Sequence, residues 1–101
     1  MILAQLNLPT TTNSGKSTKK YLNQLEVETC KKFGGCTTFS GMGKWVDKNK
    51  LYFDKLRIYQ VAIDPKNKKE FVTMCKKYGK LTKQLAIYIV INNKPRIINL
   101  S

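Results

Sequence analysis

Two helices laid over one face of a four-stranded antiparallel sheet, an α+β fold, follow from three features of the sequence. The apolar pattern runs β-α-β-β-α-β: it alternates by two in residues 2–8, 51–63 and 85–91, and recurs at three and four in the helical stretches between. Both helical stretches run into glycine, at Gly34-Gly35 and Gly79. With 101 residues the chain has room for one modest core, and so for a single domain spanning 1–101.

Each element has its own signal. Ile2, Ala4, Leu6 and Leu8 alternate with Leu3, Gln5 and Asn7, which predicts a strand with one apolar face, ended by Pro9. Thr10 to Gly15 is a polar loop, and Ser17 or Thr18 caps a helix that runs to Phe33. Leu22, Leu25, Thr29 and Phe33 form its inward stripe. Four of the six glycines fall between Phe33 and Trp45. Cys36 to Ser40 is extended, and Gly41 and Gly43 predict a bulge, a bend or a close approach by a ligand. Trp45 is read as plugging one end of the core or, alternatively, as stacking on the base of a ligand whose phosphate meets Lys44.

After a turn at residues 47–50, Leu51 to Ile63 carries Tyr59, Val61 and Ile63 on one face and Leu56, Ile58, Gln60 and Ala62 on the other. Asp64-Pro65 opens the second helix. Phe71, Met74, Cys75 and Tyr78 make its inward stripe, and Gly79 is expected to stop it. Leu85 to Ile91 is the last main strand, 92–95 a turn, and 97–100 a short edge piece. With both helices on one face, the other face of the sheet is left free, showing Gln5, Asn7, Gln60, Gln84 and Tyr88 among aliphatic residues.

Composition bounds the function. Nineteen Lys and Arg against six Asp and Glu give +13, a field that draws in anions. All but two of those cations are lysine, which argues against specific base or phosphate readout. The third strand also lacks the aromatic segment of an RRM-type RNA reader. There is no histidine, and Cys30 and Cys36 are spaced C-x5-C, so no usual zinc set is present and no cofactor is expected. The cysteines are read as reduced, half-buried packing residues. The longest apolar run is far short of the ~20 residues of a membrane span, and residues 1–9 lack a signal-peptide pattern, so a cytoplasmic protein is expected (host cytoplasm if phage-encoded).

The strand ending in L-P, N-S-G-K opening a helix, F-G-G-C-T with G-M-G-K-W, and the strand Y-Q-V-A-I-D together resemble one group of proteins. These are the small, largely uncharacterised ferredoxin-like proteins of bacteria and phages with an F-G-G-x-T … G-x-W signature. The resemblance covers nearly the whole chain, including Gln84. It implies a ferredoxin-like sandwich and little about function. An acidic residue is implied where Gln60 stands, so any catalytic task of that acid is not shared.

Gly15-Lys16-Ser17-Thr18 ends like a P-loop, but Thr10 occupies the position of the required first glycine and the sheet is not parallel. What remains is a helix N-terminus at which Lys16 and Ser17 could meet an anion. Asp54 and Asp64 are too far apart to share a metal, and the cysteines have no base partner. The sequence therefore predicts a non-catalytic binder of a phosphate-bearing ligand, a nucleotide or signalling nucleotide, such as a phage protein that sequesters a host-defence signal. Lys16, Lys44 and Arg57 are expected to supply charge; Gln60, Gln84 and Tyr88 to orient the polar part; Ser17, Thr37 and Trp45 to complete the site, with no catalytic or metal residues. A minority reading is a nucleotide hydrolase. Alternative partners are nucleic acid on the lysine-rich helix faces or an acidic protein, and the chain is expected to form a homodimer or higher oligomer without touching a membrane.

Overall fold

The computed structural model describes residues 1–101 in the order β1 (Ile2–Pro9), α1 (Lys19–Phe33), β2 (Thr37–Asp47), β3 (Lys50–Ile63), α2 (Lys68–Leu81), β4 (Ala86–Ile91) and β5 (Lys94–Asn99). A 3-10 turn, Pro65–Asn67, leads into α2, and Asp64 accepts a hydrogen bond from the Lys66 backbone N–H, as the Asp-Pro start predicts. The strands form one antiparallel sheet in the order β2-β3-β1-β4-β5. The α+β class is as predicted, but the sheet has five strands instead of four. The segment read as a turn and an edge scrap is a full edge strand. Asn92 and Asn93 both take positive φ, at 52° and 67°, which folds β5 straight back along β4 from the pair Ile91–Lys94.

One face of the sheet is buried under the helices. Alternate residues of the central strands, Leu6 and Leu8 of β1, Tyr59 and Val61 of β3 and Ile87 and Ile89 of β4, meet Leu22 and Leu25 of α1 and Phe71, Met74 and Tyr78 of α2. Tyr59 is fully buried, and its hydroxyl donates to the Leu22 carbonyl at 3.0 Å. Burial holds its phenol protonated well above the ordinary range. Gly34 ends α1 as expected, in the left-handed conformation that a side chain would disfavour. Thr18 heads α1, but its hydroxyl donates backwards to the Pro9 carbonyl at 2.8 Å and does not cap the helix.

Two glycine expectations need correction. Gly79 does not stop α2, which continues to Leu81. A Cβ there would lie 2.7 Å from Ile87 Cγ2 and 2.5 Å from Leu100 Cδ1, so glycine lets the helix press onto β4 and the C-terminal residues. Nor is there a bulge at Gly41 and Gly43: β2 pairs β3 without interruption from Thr37–Gln60 to Asp47–Lys50. A Cβ on Gly41 would fall 2.7 Å from Ile58 Cδ1, and one on Gly43 3.0 Å from Leu56 Cδ1. These glycines make room on the free face for two β3 side chains.

Between the helices, Glu28 of α1 accepts from Lys77 Nζ at 2.9 Å and the Tyr78 hydroxyl at 2.8 Å, and pairs with Lys32 at 3.1 Å. Burial alone would raise its pKa, but these donors outweigh that and bring it from 4.5 to about 2. A carboxylate depressed in the folded state stabilises fully above pH 4.5, and its contribution disappears as pH falls through 2. Glu28→Gln is therefore expected to cost about 1–2 kcal/mol at neutral pH, allowing for solvent screening. In urea unfolding curves the gap to the parent should close between pH 4.5 and 2; a gap independent of pH would reject the ion-pair account. No helix is long and apolar enough to cross a membrane.

Candidate functional site

The face of the sheet away from the helices carries the polar and aromatic residues. Strand pairing aligns Phe39, Ile58, Asn7, Tyr88 and Ile97 in one row across all five strands. A neighbouring row holds Thr37, Gln60, Gln5, Val90 and Pro95. Between the rows runs a chain of amides. Gln60 Nε2 donates to Gln5 Oε1 at 2.9 Å, and Gln5 Nε2 donates to Asn7 Oδ1 at 3.1 Å. With its oxygen held in this way, Asn7 has an NH₂ to offer to an acceptor above the sheet.

Asn7 borders a cavity of about 830 Å³. Its floor and one wall are apolar, from Leu56 of β3, Leu85 and Ala86 around the start of β4, and Ile97 of β5. Tyr88, 41% exposed, supplies an aromatic surface. The opposite wall is the outer part of the β2–β3 hairpin, with Gly43, Lys44, Trp45 and Asp54. Trp45 is not a plug for the core: it is 48% exposed and stacks on Tyr52 of β3 at 5.6 Å between centroids, with ring planes 15° apart. Asp54 is the single carboxylate of the lining, and Lys44 the single cation. The site is thus mostly apolar, with aromatic, amide and opposite-charge groups at separate points on its rim.

Of the predicted site residues, Lys44, Trp45, Gln84 and Tyr88 line this cavity. Gln84 is steadied by donating through Nε2 to the Thr82 carbonyl at 2.9 Å. Gln60 acts at one remove, through Gln5, and Thr37 is exposed in the same row. The others lie elsewhere. Arg57 pairs with Leu8 and Ser40 and so projects to the helix side, because it shares the parity of Tyr59. Lys16 and Ser17 sit in a loop closed by the Thr11–Ser17 bridge, and Ser17 Oγ accepts from the Lys19 N–H at 3.2 Å. That loop instead contributes Asn13 to the lining. Asp54 was missed as a site residue. Its even-number parity with Leu56, Ile58 and Gln60 was the signal that could have placed it on the free face.

Cys30 and Cys36 lie 3.8 Å apart between sulfurs, with Cys30 exposed, and not half-buried as expected. Burial, with Cys30 beside it, pushes the Cys36 thiol up to about 11. Only Cys75 is packed into the core.

An antiparallel α+β sheet with a small-molecule-sized cavity on its free face is the class that fold and site define. No protein-family model matches the sequence, and no curated protein matches it. Among solved structures it is similar to a phage SAM lyase in its apo state and to a phage SAM lyase in complex with S-methyl-5'-thioadenosine. In each case the TM-score is 0.66 at 12% identity, over 97% of this chain and 88% of that one. At that identity the likeness establishes a shared fold. It also goes against the expectation of a non-catalytic nucleotide binder. The solved neighbours of this fold are an enzyme.

Proposed function

We propose that this chain is an enzyme of the SAM-lyase type, cleaving S-adenosylmethionine (SAM) in the free-face cavity. The observation that carries the proposal is the lining itself: a largely apolar cavity with Tyr88 and Trp45 as aromatic faces and Lys44 and Asp54 as its only charges. The fold shared with the phage lyases over 97% of the chain supports it.

S-methyl-5'-thioadenosine is the thioether that remains when the four-carbon amino-acid chain leaves the sulfur of SAM. The carbon–sulfur bond breaks with its electron pair passing to the sulfonium, which becomes neutral. The carbon it leaves is closed by an oxygen of the substrate's own carboxylate, forming a five-membered lactone. Atoms and charge balance without a proton moving or water entering. A positive and a negative centre vanish together, so the transition state is less polar than the bound substrate and an apolar enclosure favours it. Folding the flexible amino-acid chain into the ring geometry supplies the rest. Such a reaction needs no histidine or activated nucleophile, consistent with the thin catalytic inventory of this sequence.

The residues divide the substrate between them. Tyr88 and Trp45 offer ring faces to the adenine or the sulfonium. The Asn7 NH₂, oriented through Gln5 and Gln60, donates to an acceptor on the base or ribose. Asp54, paired with Gly43 on the free face, takes the ammonium, while Lys44, whose side chain leaves the edge strand on the other face, adds positive field at the rim that favours the carboxylate end of the substrate. Incubation of the purified protein with SAM should release S-methyl-5'-thioadenosine and homoserine lactone in equal amounts by liquid chromatography–mass spectrometry. Absence of both products above the rate of spontaneous breakdown would end the proposal.

A further inference from the structure

We infer a second, anion-binding site on the opposite side of the molecule, in the groove between α2 and the β4–β5 hairpin, for a compact oligophosphate. The groove has a volume of about 440 Å³. Lys68, Lys69 and Lys76 reach it from one face of α2, and Lys94 and Arg96 from β5. Thr73 adds a hydroxyl, above a floor of Val72 and Ile91.

These cations converge for a reason of register. Lys94 pairs with Ile91 and Arg96 with Ile89, both buried toward the helices, so the two β5 cations share the side of the sheet on which α2 lies. On α2 the spacing 68, 72, 76 with 69, 73 is one helical face. The sequence separates the groups by eighteen residues or more, and only the β4–β5 turn unites them.

No carboxylate borders the groove. The ion pairs of the molecule join Glu28 to Lys32 and Lys77 and Glu70 to Lys32, and none includes any of these five cations. Five like charges around one groove repel one another, and an anion relieves all of them together. Lys68 and Lys69 also occupy the first turn of α2, the positive end of its dipole, where the one acid, Glu70, pairs with Lys32 and does not border the groove. Placing cations there forgoes helix stability unless an anion joins them. A chain of three phosphates brings several negative charges within a short reach, and Arg96 can grip one phosphate through two N–H groups. Convergence on a bounded groove, in place of a stripe along the surface, favours a compact ligand over a nucleic-acid strand.

The test is calorimetry of the full chain at about 150 mM salt with inorganic tripolyphosphate, with ATP, sulfate and a random-sequence oligonucleotide as further titrants. The expected result is one tripolyphosphate per chain, binding at least about tenfold tighter than sulfate. Equal affinity for ATP would show that the phosphate chain alone is read, and tighter ATP binding that the base is read too; both support the site. The double variant Lys94→Gln/Arg96→Gln should lose about tenfold or more in affinity, while Lys19→Gln/Lys31→Gln, which removes the same charge from α1, should change it less than about threefold. Circular dichroism confirms that both variants are folded. No tripolyphosphate binding, equal losses in the two variants, or oligonucleotide affinity that exceeds tripolyphosphate and grows with length would each overturn the proposal.

Discussion

Tyr88→Ala is expected to lower kcat/KM for SAM cleavage by about fivefold to a hundredfold, the range that losing one aromatic stacking surface produces. Tyr88 stands in the middle of the row Asn7–Tyr88–Ile97, on β4 between β1 and β5. Its side chain is 41% exposed on the free face and has no packing task in the core, so the variant should fold normally. Tyr88→Phe keeps the ring and should retain most of the activity, separating stacking from any part played by the hydroxyl. Steady-state assays of the three proteins decide the matter. An alanine variant as active as the parent would place the chemistry somewhere other than this cavity.

The largest stability effect is expected at Phe71. The ring is 1% exposed and meets Phe33 edge-on at 6.1 Å between centroids, so it joins α2 to the end of α1 above the sheet. Phe71→Ala removes that contact and leaves a cavity in the buried core, whose close-packed side chains relax only in part. The expected cost is about 3–5 kcal/mol, which for a chain near this size lowers the melting temperature by at least about 12 °C. Thermal unfolding followed by far-UV circular dichroism measures it. A loss below about 1 kcal/mol would mean that the helices are not locked together at this point.

The period of the apolar residues carried most of the architecture. Leu6, Tyr59 and Ile89 are inside because they alternate, and Phe71, Met74 and Tyr78 because they recur on one helical face. Glycine was less informative, since the letter does not say whether it serves conformation or space. At Gly34 it serves conformation, with φ at 92°. At Gly41, Gly43 and Gly79 it serves space, a property of neighbours distant in sequence. The fifth strand was hidden because Lys94, Pro95 and Arg96 are polar or turn-forming, and only Ile98 of that strand is buried.

The site was half legible for a related reason. Gln84 and Tyr88 were found from residue type and parity, Lys44 and Trp45 from the glycine-rich stretch that they follow, and all four border one cavity. Arg57 was expected among them on charge alone, although its odd position places it with Tyr59 on the other side. The expectation of no chemistry came from searching for acids, bases and nucleophiles. A substrate that carries both its own nucleophile and its own leaving group leaves no such mark on a sequence.

The cavity's two walls differ mechanically. Ala86 and Tyr88 stand on a strand backed by the core, whereas every residue from Lys44 to Phe53 is exposed, so the wall that bears Trp45 has no second layer behind it. Only the ladder to its own hairpin partner restrains it. Flexing there stretches hydrogen bonds but uncovers no packed interior, so the cleft can widen and narrow while the globule behind it stays folded.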